Sequence, residues 1–307
     1  MPEPQNQATA RERADAFRAP RSTCGGAGIM RAGVILLSSL LFACAPAQRP
    51  PSDERIWGDF VQWYRNNPQW DPQEPYREKL RKDGVPEAEA TRRAALVAKL
   101  ATEREEALSI FFNFVFTREK PSFRTDPNAL LVETVKGLKP GRALDVAMGQ
   151  GRNAIWLAEQ GWDVTGFDIS AEGIEAARIA AERKRVKIAA IQSSWQKFDF
   201  GRAQWDLIAL SYAFVPVWDP VFYARLRDSL KRDGVVVFEH FLHHGPDAVE
   251  RFAGKHTMAR FAGIPEPNEL LRVFVADFRI LRYEDALAVS EWFPHEAPLV
   301  RMVARRR

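Results

Sequence analysis

The sequence predicts an α/β protein built on a doubly wound, mostly parallel sheet of seven strands, with an N-terminal helical appendage. After residue 120, short apolar runs alternate with segments of helical periodicity, which is typical of a parallel sheet with helices on both faces. A glycine turn, Gly149-Gln150-Gly151, connects the first apolar run to a helix. The last two apolar runs follow each other closely, so we expect an antiparallel pair and an antiparallel last strand.

Size and composition are those of a globular protein. The 307 residues suffice for one large domain and an appendage, and 46% hydrophobic with 27% charged residues is ordinary. The net charge of +4 comes without a basic stripe interleaved with aromatic residues, so no nucleic-acid partner is expected. Both cysteines, Cys24 and Cys44, precede residue 50, which excludes a disulfide or a thiolate metal site from the rest of the chain. The oligomeric state stays open.

Residues 1–44 are expected to be an N-terminal extension with a signal-like or lipoprotein-like segment. Thirteen residues, from Ala32 to Cys44, form an apolar run behind Arg31; this is too short for a membrane core that needs about 20 residues, but it suits a secretory signal. Leu41-Phe42-Ala43-Cys44 resembles a bacterial lipobox, which predicts a lipid anchor at Cys44 and a membrane-anchored or periplasmic protein. If that signal is not used, the protein is cytoplasmic and the run is a short helix packed on the body. Whether Met1 or Met30 is the true start stays open.

Residues 45–55 read as a Pro-rich linker, and residues 56–120 as the helical appendage. Within 56–82 the aromatic residues have partly helical spacing, which we interpret as a packing surface. From Pro86 to Phe116, apolar residues recur on one helical face and charged residues on the others, so one long helix is expected. We expect the appendage to pack on the main domain and to help close its ligand cleft.

Residues 121–307 form the predicted main domain. Asp126 is the expected cap of its first helix, with Pro127 at the first helical position and Pro140 beyond the end. Five strands are expected at 143–147, 162–167, 186–192, 206–211 and 235–240, and the antiparallel pair within 278–292 and 299–304. The remaining helices are expected at 153–160, from the cap Ser170 to 184, from Asp219-Pro220 to 231, and near 267–273.

The strand, glycine turn, helix and second strand build a pocket for a ligand that carries a ribose. Glycines let the backbone approach the ligand, and Asp168, nineteen residues after Gly149, is placed to accept hydrogen bonds from vicinal hydroxyls. A nicotinamide dinucleotide is one such ligand. Asp145, inside the first strand, favours a ligand with a positively charged end. The diphosphate of a dinucleotide gains nothing from a carboxylate at this place, whereas a cationic group is stabilised by it.

Two motifs carry a family resemblance. Leu144-Asp145-x-Ala147-x-Gly149-x-Gly151 resembles the first motif of the class I S-adenosylmethionine-dependent methyltransferases, and Gly166-Phe167-Asp168-Ile169-Ser170 resembles their second. The extended pattern from Gly149 to Gly166 is most similar to the tellurite-resistance-type branch. Trp205-Asp206-Leu207-Ile208 looks like the fourth strand of the family, and the closing pair looks like its last two. The resemblance covers about residues 121–307 and implies a Rossmann-like fold.

The resemblance implies S-adenosylmethionine as the cofactor and methyl transfer to a small-molecule acceptor that the sequence does not identify. The cofactor-binding residues that it implies are Asp145, Ala147, Gly149, Gly151, Arg152, Asn153, Asp168, Ile169, Ser194, Trp195 and Ser211. Two positions depart from the family. Ala147 replaces the usual first glycine, and no acid follows the third strand, so the adenine amino group is expected to meet a hydroxyl or a carbonyl, with Trp195 stacking on the ring.

Candidate catalytic residues lie at the ends of the fourth and fifth strands. Tyr212 ends the fourth strand, where the family places its acceptor site, and His240 ends the fifth. A general base is needed only if the acceptor holds a proton in its reactive state. The neighbouring His243-His244 is more typical of a solvated loop than of a metal site, so no metal is expected. Arg124 is a candidate contact for an anionic group of the substrate.

Two alternatives stay open beside the methyltransferase. A nicotinamide oxidoreductase would use the same glycine turn, but Asp145 and the lack of an obvious acid–base pair for hydride transfer argue against it. A non-catalytic nucleoside-binding lipoprotein is the other alternative. It is kept because an exported chain would be separated from S-adenosylmethionine, a cytoplasmic metabolite.

Overall fold

The structure, a computed structural model, describes residues 51–118, 123–243, 263–292 and 295–307. Pro50–Arg307 form one compact unit. The predictions for the signal segment, for Cys44 and for most of the linker lie outside the described residues, as does His244. In the described parts of the chain, no helix has the length and apolar character to span a membrane.

Four helices precede the sheet: α1 Asp53–Asn66, α2 Gln73–Lys82, α3 Glu87–Glu103 and α4 Glu105–Thr117. The first three bury most aromatic residues of the segment in a shared core, while Trp70 contacts Phe111 and Phe214. Phe60 is fully buried, with its ring centroid 5.1 Å from that of Tyr64 and 5.2 Å from that of Tyr76. The interpretation of these aromatic residues as a packing surface is confirmed.

The single long helix expected from Pro86 to Phe116 is wrong, because the structure interrupts it at Arg104. Arg104 has extended backbone angles, φ −116° and ψ 120°. Its guanidinium donates to the Glu54 carboxylate at 3.0 Å and lies 5.0 Å from the centroid of the Trp57 ring. Both partners come from α1, so a contact between distant segments sets the break. The break separates α4 from α3 and lets α4 pack on α7 of the sheet domain.

The sheet confirms the predicted fold class. Its seven strands have the order β3-β2-β1-β4-β5-β7-β6. Strands β1 to β5 pair in parallel, and β7 is antiparallel to both of its neighbours. The strands are β1 Arg142–Val146, β2 Asp163–Asp168, β3 Ala189–Gln192, β4 Trp205–Ser211, β5 Leu230–Phe241, β6 Phe278–Val289 and β7 Glu296–Arg306.

The described helices of this domain are α5 Ala129–Val135, α6 Arg152–Glu159, α7 Ala171–Lys184, α8 Pro220–Ser229 and α9 Glu269–Phe274. The prediction that Asp126 caps the first of them is wrong. Asn128 caps it, with its side chain accepting from the Leu131 N–H at 3.0 Å. The α8 helix also ends earlier than expected, because Leu230 is buried and already pairs with Trp205 in the sheet.

Both faces of the central strands are buried, as expected of a parallel sheet covered by helices. Leu144 and Val146 of β1 belong to one hydrophobic core, while Ala143 belongs to the core on the opposite face. The carboxyl ends of β1, β2 and β4 lie at one edge of the sheet, which is where open α/β sheets bind their ligands.

Candidate active site

The loop after β1 has an unusual backbone. Ala147 and Gly149 both have φ of 54°, and Gly151 has φ of 79°. Glycine adopts these left-handed angles without steric cost, whereas an L-residue such as Ala147 does so at a cost of about 1–2 kcal/mol. Gly151 is also tightly packed, since a Cβ atom there would lie 2.9 Å from the Ala177 Cβ. The loop therefore turns sharply into α6 and leaves little room for side chains.

Asp168, at the end of β2, fixes this loop in place. One carboxylate oxygen accepts from the Gly149 N–H at 2.9 Å, and the other accepts from the Ser170 N–H at 2.8 Å. Burial raises the pKa of Asp168 to about 6, against the effect of the backbone donors. The carboxylate is therefore mostly ionised at neutral pH. Ser170 caps α7 as predicted, accepting from the Gly173 N–H at 2.9 Å.

Asp145 lies behind the loop rather than on the cavity wall. Its carboxyl accepts from the Ala154 N–H at 3.1 Å, in the first turn of α6, and its side chain is buried. Burial raises the pKa of Asp145 to about 7, although the positive charge of Arg152 opposes the shift. In this position Asp145 holds the start of α6.

One continuous cavity of about 730 Å³ opens at this edge of the sheet. Most of the residues that the sequence predicts for the cofactor line it: Ala147, Gly149, Arg152, Asn153, Asp168, Ile169, Ser194, Trp195 and Ser211. Tyr212 lines it too. Asp145, Gly151, His240 and Arg124 are not among the lining residues.

Comparison with known proteins identifies the domain. Residues 143–234 match the family model described as "methyltransferase domain", and this range contains the glycine loop, Asp168 and β4. These matches support a class I S-adenosylmethionine-dependent methyltransferase. Its cofactor is S-adenosylmethionine, and the nicotinamide alternative gains no support from the comparisons.

Curated relatives match parts of this methyltransferase. The ubiquinone biosynthesis O-methyltransferase of Salmonella paratyphi A is 25% identical over 176 residues, which cover 56% of this chain and 72% of that protein. The ribosomal RNA small subunit methyltransferase C of Alcanivorax borkumensis is 40% identical over 52 residues, so the chain spans only 16% of its length.

Solved structures are similar in fold. The structure titled "Conversion of a Disulfide Bond into a Thioacetal Group during Echinomycin Biosynthesis" has a TM-score of 0.50 and 19% identity, covering 65% of this chain and 91% of that chain. TehB from Haemophilus influenzae aligns with a TM-score of 0.49 and 17% identity, covering 65% of this chain and 67% of that chain.

Two features of the methyltransferase cavity fit an adenosine-bearing cofactor. The ionised carboxylate of Asp168 lies on its wall, where ribose hydroxyls can donate to it. The Ser211 hydroxyl, also on the wall, is buried and has no hydrogen-bond partner among the described residues. A buried polar atom without a partner is costly, so a ligand that bonds to Ser211 removes this cost.

The α4 helix forms a roof over the same edge of the sheet. The sequence predicted that the appendage helps to close the cleft, but it did not identify the residues that do so. Asn113 accepts from the Ser170 hydroxyl at 2.7 Å, and the Gln150 amide donates to the Phe116 carbonyl at 2.9 Å. Nearer the start of α4, Ser109 donates to the Ile169 carbonyl at 3.4 Å. These contacts fasten α4 to the ends of β1 and β2. The available signal was the four-residue spacing of Leu108, Phe112 and Phe116, all of which line the cavity.

Glu105 of α4 supplies a carboxylate on the side where no acid follows β3. It accepts from the Ser194 hydroxyl at 2.6 Å and pairs with the Lys197 ammonium at 2.7 Å. Burial tends to raise the pKa of Glu105, but the bonds from Lys197 and Ser194 outweigh it and hold the pKa below its usual value. An ionised acid from the appendage therefore lies on the cavity wall beside Ser194.

Tyr212 reaches the cavity as a fixed, protonated phenol. Its hydroxyl donates to Glu239 at 2.9 Å and accepts from the Glu291 N–H at 3.2 Å. Burial and the nearby charge of Glu239 raise the pKa of Tyr212 far above its usual value. With its proton bonded to Glu239, Tyr212 is suited to shape the site and unsuited to act as a base near neutral pH.

His240 does not lie at the cavity. Its side chain is fully buried, and its ring centroid is 5.2 Å from that of Phe214 and 6.2 Å from that of Phe238. Burial lowers the pKa of His240 to about 3, so the imidazole stays neutral. This burial gives the proposed base no route to an acceptor. Across the described ranges, no group of three His, Cys, Asp or Glu side chains is arranged to hold a metal ion.

Proposed function

We propose that this methyltransferase transfers the methyl group to a small-molecule acceptor held inside the roofed cavity. The observation that carries this proposal is the α4 roof, which covers the ligand-binding edge of the sheet and is fastened at Ser170 and Gln150. A structured RNA needs an open surface beside the methyl donor, and here a helix takes up that surface. The cavity volume of about 730 Å³ also lies within the range of small-molecule pockets, ~300–1,000 Å³.

In this proposal the cofactor lies along the ends of β1, β2 and β3. Asp168 accepts from the ribose hydroxyls, the loop at Ala147 and Gly149 receives the methionine end, and Ser194 with Trp195 borders the base. When bound, S-adenosylmethionine supplies an electrophilic methyl group, and its carbon–sulfur bond breaks with the electron pair remaining on sulfur. The protein then has to provide proximity and alignment, which account for much of the rate in such a reaction.

Cofactor binding is tested by calorimetry with S-adenosylmethionine and S-adenosylhomocysteine on the full chain. Asp168→Asn is expected to weaken binding at least about tenfold, because a charged acceptor is lost. Asp163→Asn is the matched control, since Asp163 starts the same strand and its side chain is 79% exposed. Wild-type protein that binds neither compound would contradict the proposed function.

The acceptor class is tested by incubating the protein with methyl-labelled S-adenosylmethionine and two cell fractions. One fraction holds small metabolites freed of polymers, and the other holds total RNA. We expect label in the metabolite fraction. Label that appears only in RNA would overturn the small-molecule proposal and favour an activity like that of the ribosomal RNA relative.

We also propose that Cys44 carries a lipid anchor, on the support of the sequence Leu41-Phe42-Ala43-Cys44 behind an apolar run. The test is incorporation of labelled fatty acid together with membrane fractionation of cells. Cys44→Ser is expected to abolish both signals, while Cys24→Ser keeps them. A wild-type chain found only in the cytosol, without label, would refute the anchor and leave a cytoplasmic enzyme.

A further inference from the structure

Five aromatic side chains form a closed circuit on the cavity wall. In order around it they are Phe112, Phe116, Phe123, Trp292 and Phe214, and all five line the cavity. Neighbouring ring centroids are 6.0, 5.8, 5.4, 5.7 and 5.1 Å apart, and the last distance returns to Phe112. We call these five residues the aromatic collar.

The collar is assembled from segments that are distant in sequence and borders the glycine loop. Phe112 and Phe116 come from α4, Phe214 follows β4, and Trp292 follows β6. The Phe116 ring lies against Gly149, where an added Cβ atom would be only 2.7 Å away. On the other side, Phe214 is two residues beyond Tyr212. The collar therefore spans the space between the cofactor loop and the end of β4.

One ion pair lies beside the collar, since Glu291 directly precedes Trp292. Arg152 donates to the Glu291 carboxylate at 2.6 Å, and both side chains are mostly buried. The second oxygen of Glu291 accepts from the Ala129 N–H at 3.2 Å. Asp126, which also lines the cavity, is solvent-exposed. Among the described residues, the buried carboxylate of Glu291 is already paired, and the buried carboxylate of Asp168 on the same cavity wall is assigned to the cofactor ribose. A cation entering the collar would therefore lose hydration without gaining either carboxylate, so these surroundings favour a neutral occupant.

The spacing of the collar rings suits aromatic contacts. Neighbouring centroids are 5.1 to 6.0 Å apart, within the ~4.5–7 Å at which aromatic rings pair, and a planar ring in the cavity would meet side chains that make this kind of contact. We propose that the aromatic collar is the acceptor subsite and that it takes a single neutral aromatic ring. This inference rests on the proposed function and names its substrate class.

The backbone of Glu291 connects two segments of the collar. Its N–H donates to the Tyr212 hydroxyl, and its carbonyl accepts from the Arg124 N–H at 2.7 Å. Because Arg124 follows Phe123 and Glu291 precedes Trp292, this bond holds two collar rings beside each other. The ring centroids of Phe123 and Trp292 are 5.4 Å apart.

The test uses phenol, cyclohexanol and tetramethylammonium as probes of the full chain saturated with S-adenosylhomocysteine. Binding is followed by saturation-transfer NMR, with each probe titrated alone and in competition. We expect phenol to bind, cyclohexanol of similar size to bind several-fold more weakly, and tetramethylammonium not to compete. Trp292→Leu and Phe214→Leu should each weaken phenol binding about tenfold, because each removes a pairing ring.

Phe114→Leu is the matched control, since Phe114 lies on α4 but is exposed and does not line the cavity. It should leave phenol binding unchanged, and all three variants should keep the wild-type affinity for S-adenosylhomocysteine. The collar inference is overturned if tetramethylammonium displaces phenol. It is also overturned if S-adenosylhomocysteine binds but phenol does not, or if neither collar substitution changes phenol binding. If S-adenosylhomocysteine does not bind, the result contradicts the proposed function instead.

Discussion

Replacing Gly149 by alanine tests whether the roof and the cofactor loop are packed as one unit. The new methyl group would lie 2.7 and 2.9 Å from two carbons of the Phe116 ring. That ring cannot retreat freely, because it is stacked on Phe112 at 6.0 Å and lies equally close to Gly173, where a Cβ atom would be 2.8 Å away. The substitution therefore adds a packing conflict to the cost of a left-handed alanine.

The expected loss of unfolding free energy has two parts, one from the left-handed backbone and one from the packing conflict. Left-handed backbone angles cost an alanine about 1–2 kcal/mol, and overpacking of a filled site adds about 1–3 kcal/mol. Gly149→Ala should therefore lower the free energy of unfolding by about 2–5 kcal/mol. Gly84→Ala is the matched control, because Gly84 has φ of 83° and nothing within 4 Å of an added Cβ atom. It should show only the backbone cost.

The assay is urea unfolding of three single variants, Gly149→Ala, Gly84→Ala and Phe116→Leu, and of the double variant that combines Gly149→Ala with Phe116→Leu. If the conflict with Phe116 is real, the double variant is less destabilised than the sum of its single changes. Gly149→Ala should also weaken S-adenosylhomocysteine binding, whereas Gly84→Ala should not. Equal losses of stability in Gly149→Ala and Gly84→Ala, or strict additivity with Phe116→Leu, would refute the reasoning.

Three further predictions concern buried or paired acids. The raised pKa of Asp145, about 7 against 3.8, means that this carboxyl contributes a loss of stability of up to about 4 kcal/mol as the pH rises from about 4 to about 8. Asp145→Asn should remove this contribution, which pH-dependent urea unfolding of the wild type and the variant would measure as a difference. Glu291→Gln should cost about 1–3 kcal/mol of stability, against less than about 1 for Glu133→Gln at an exposed pair, and equal losses would contradict this. Glu105→Ala should weaken S-adenosylhomocysteine binding about threefold to tenfold in calorimetry while Glu103→Ala does not.

The parts of the fold that sequence reasoning reached are those with a local signal. The order of strands and helices follows from apolar periodicity, and the cap at Ser170 follows from one residue and its neighbours. The break at Arg104 had no such signal, because it depends on Glu54 and Trp57 in another helix. The cap at Asn128 also depends on a distant residue, since the Asn128 backbone N–H donates to the side chain of Asn153 at 2.8 Å.

The residues of the site were likewise predicted where the sequence carries a local signal. Asp168 and the residues after β1 are close together because they end neighbouring parallel strands, which the sequence pattern already implies. His240 was predicted at the cleft because it belongs to the densest cluster of titratable residues near the expected cleft mouth. The structure buries it because β5 lies between two other strands, with both faces covered, so a residue near its end can still be internal.

The glycine motif gained a second physical explanation from the structure. In the sequence, Gly149 was explained by the close approach of a ligand to the backbone. In the structure, the space that its missing side chain leaves is bordered by the Phe116 ring, which fits between Gly149 and Gly173. Phe116 in turn belongs to α4 and to the aromatic collar. A glycine in such a loop therefore indicates that some group lies close to the backbone, but not which group. Here the Phe116 ring of α4 is one such group.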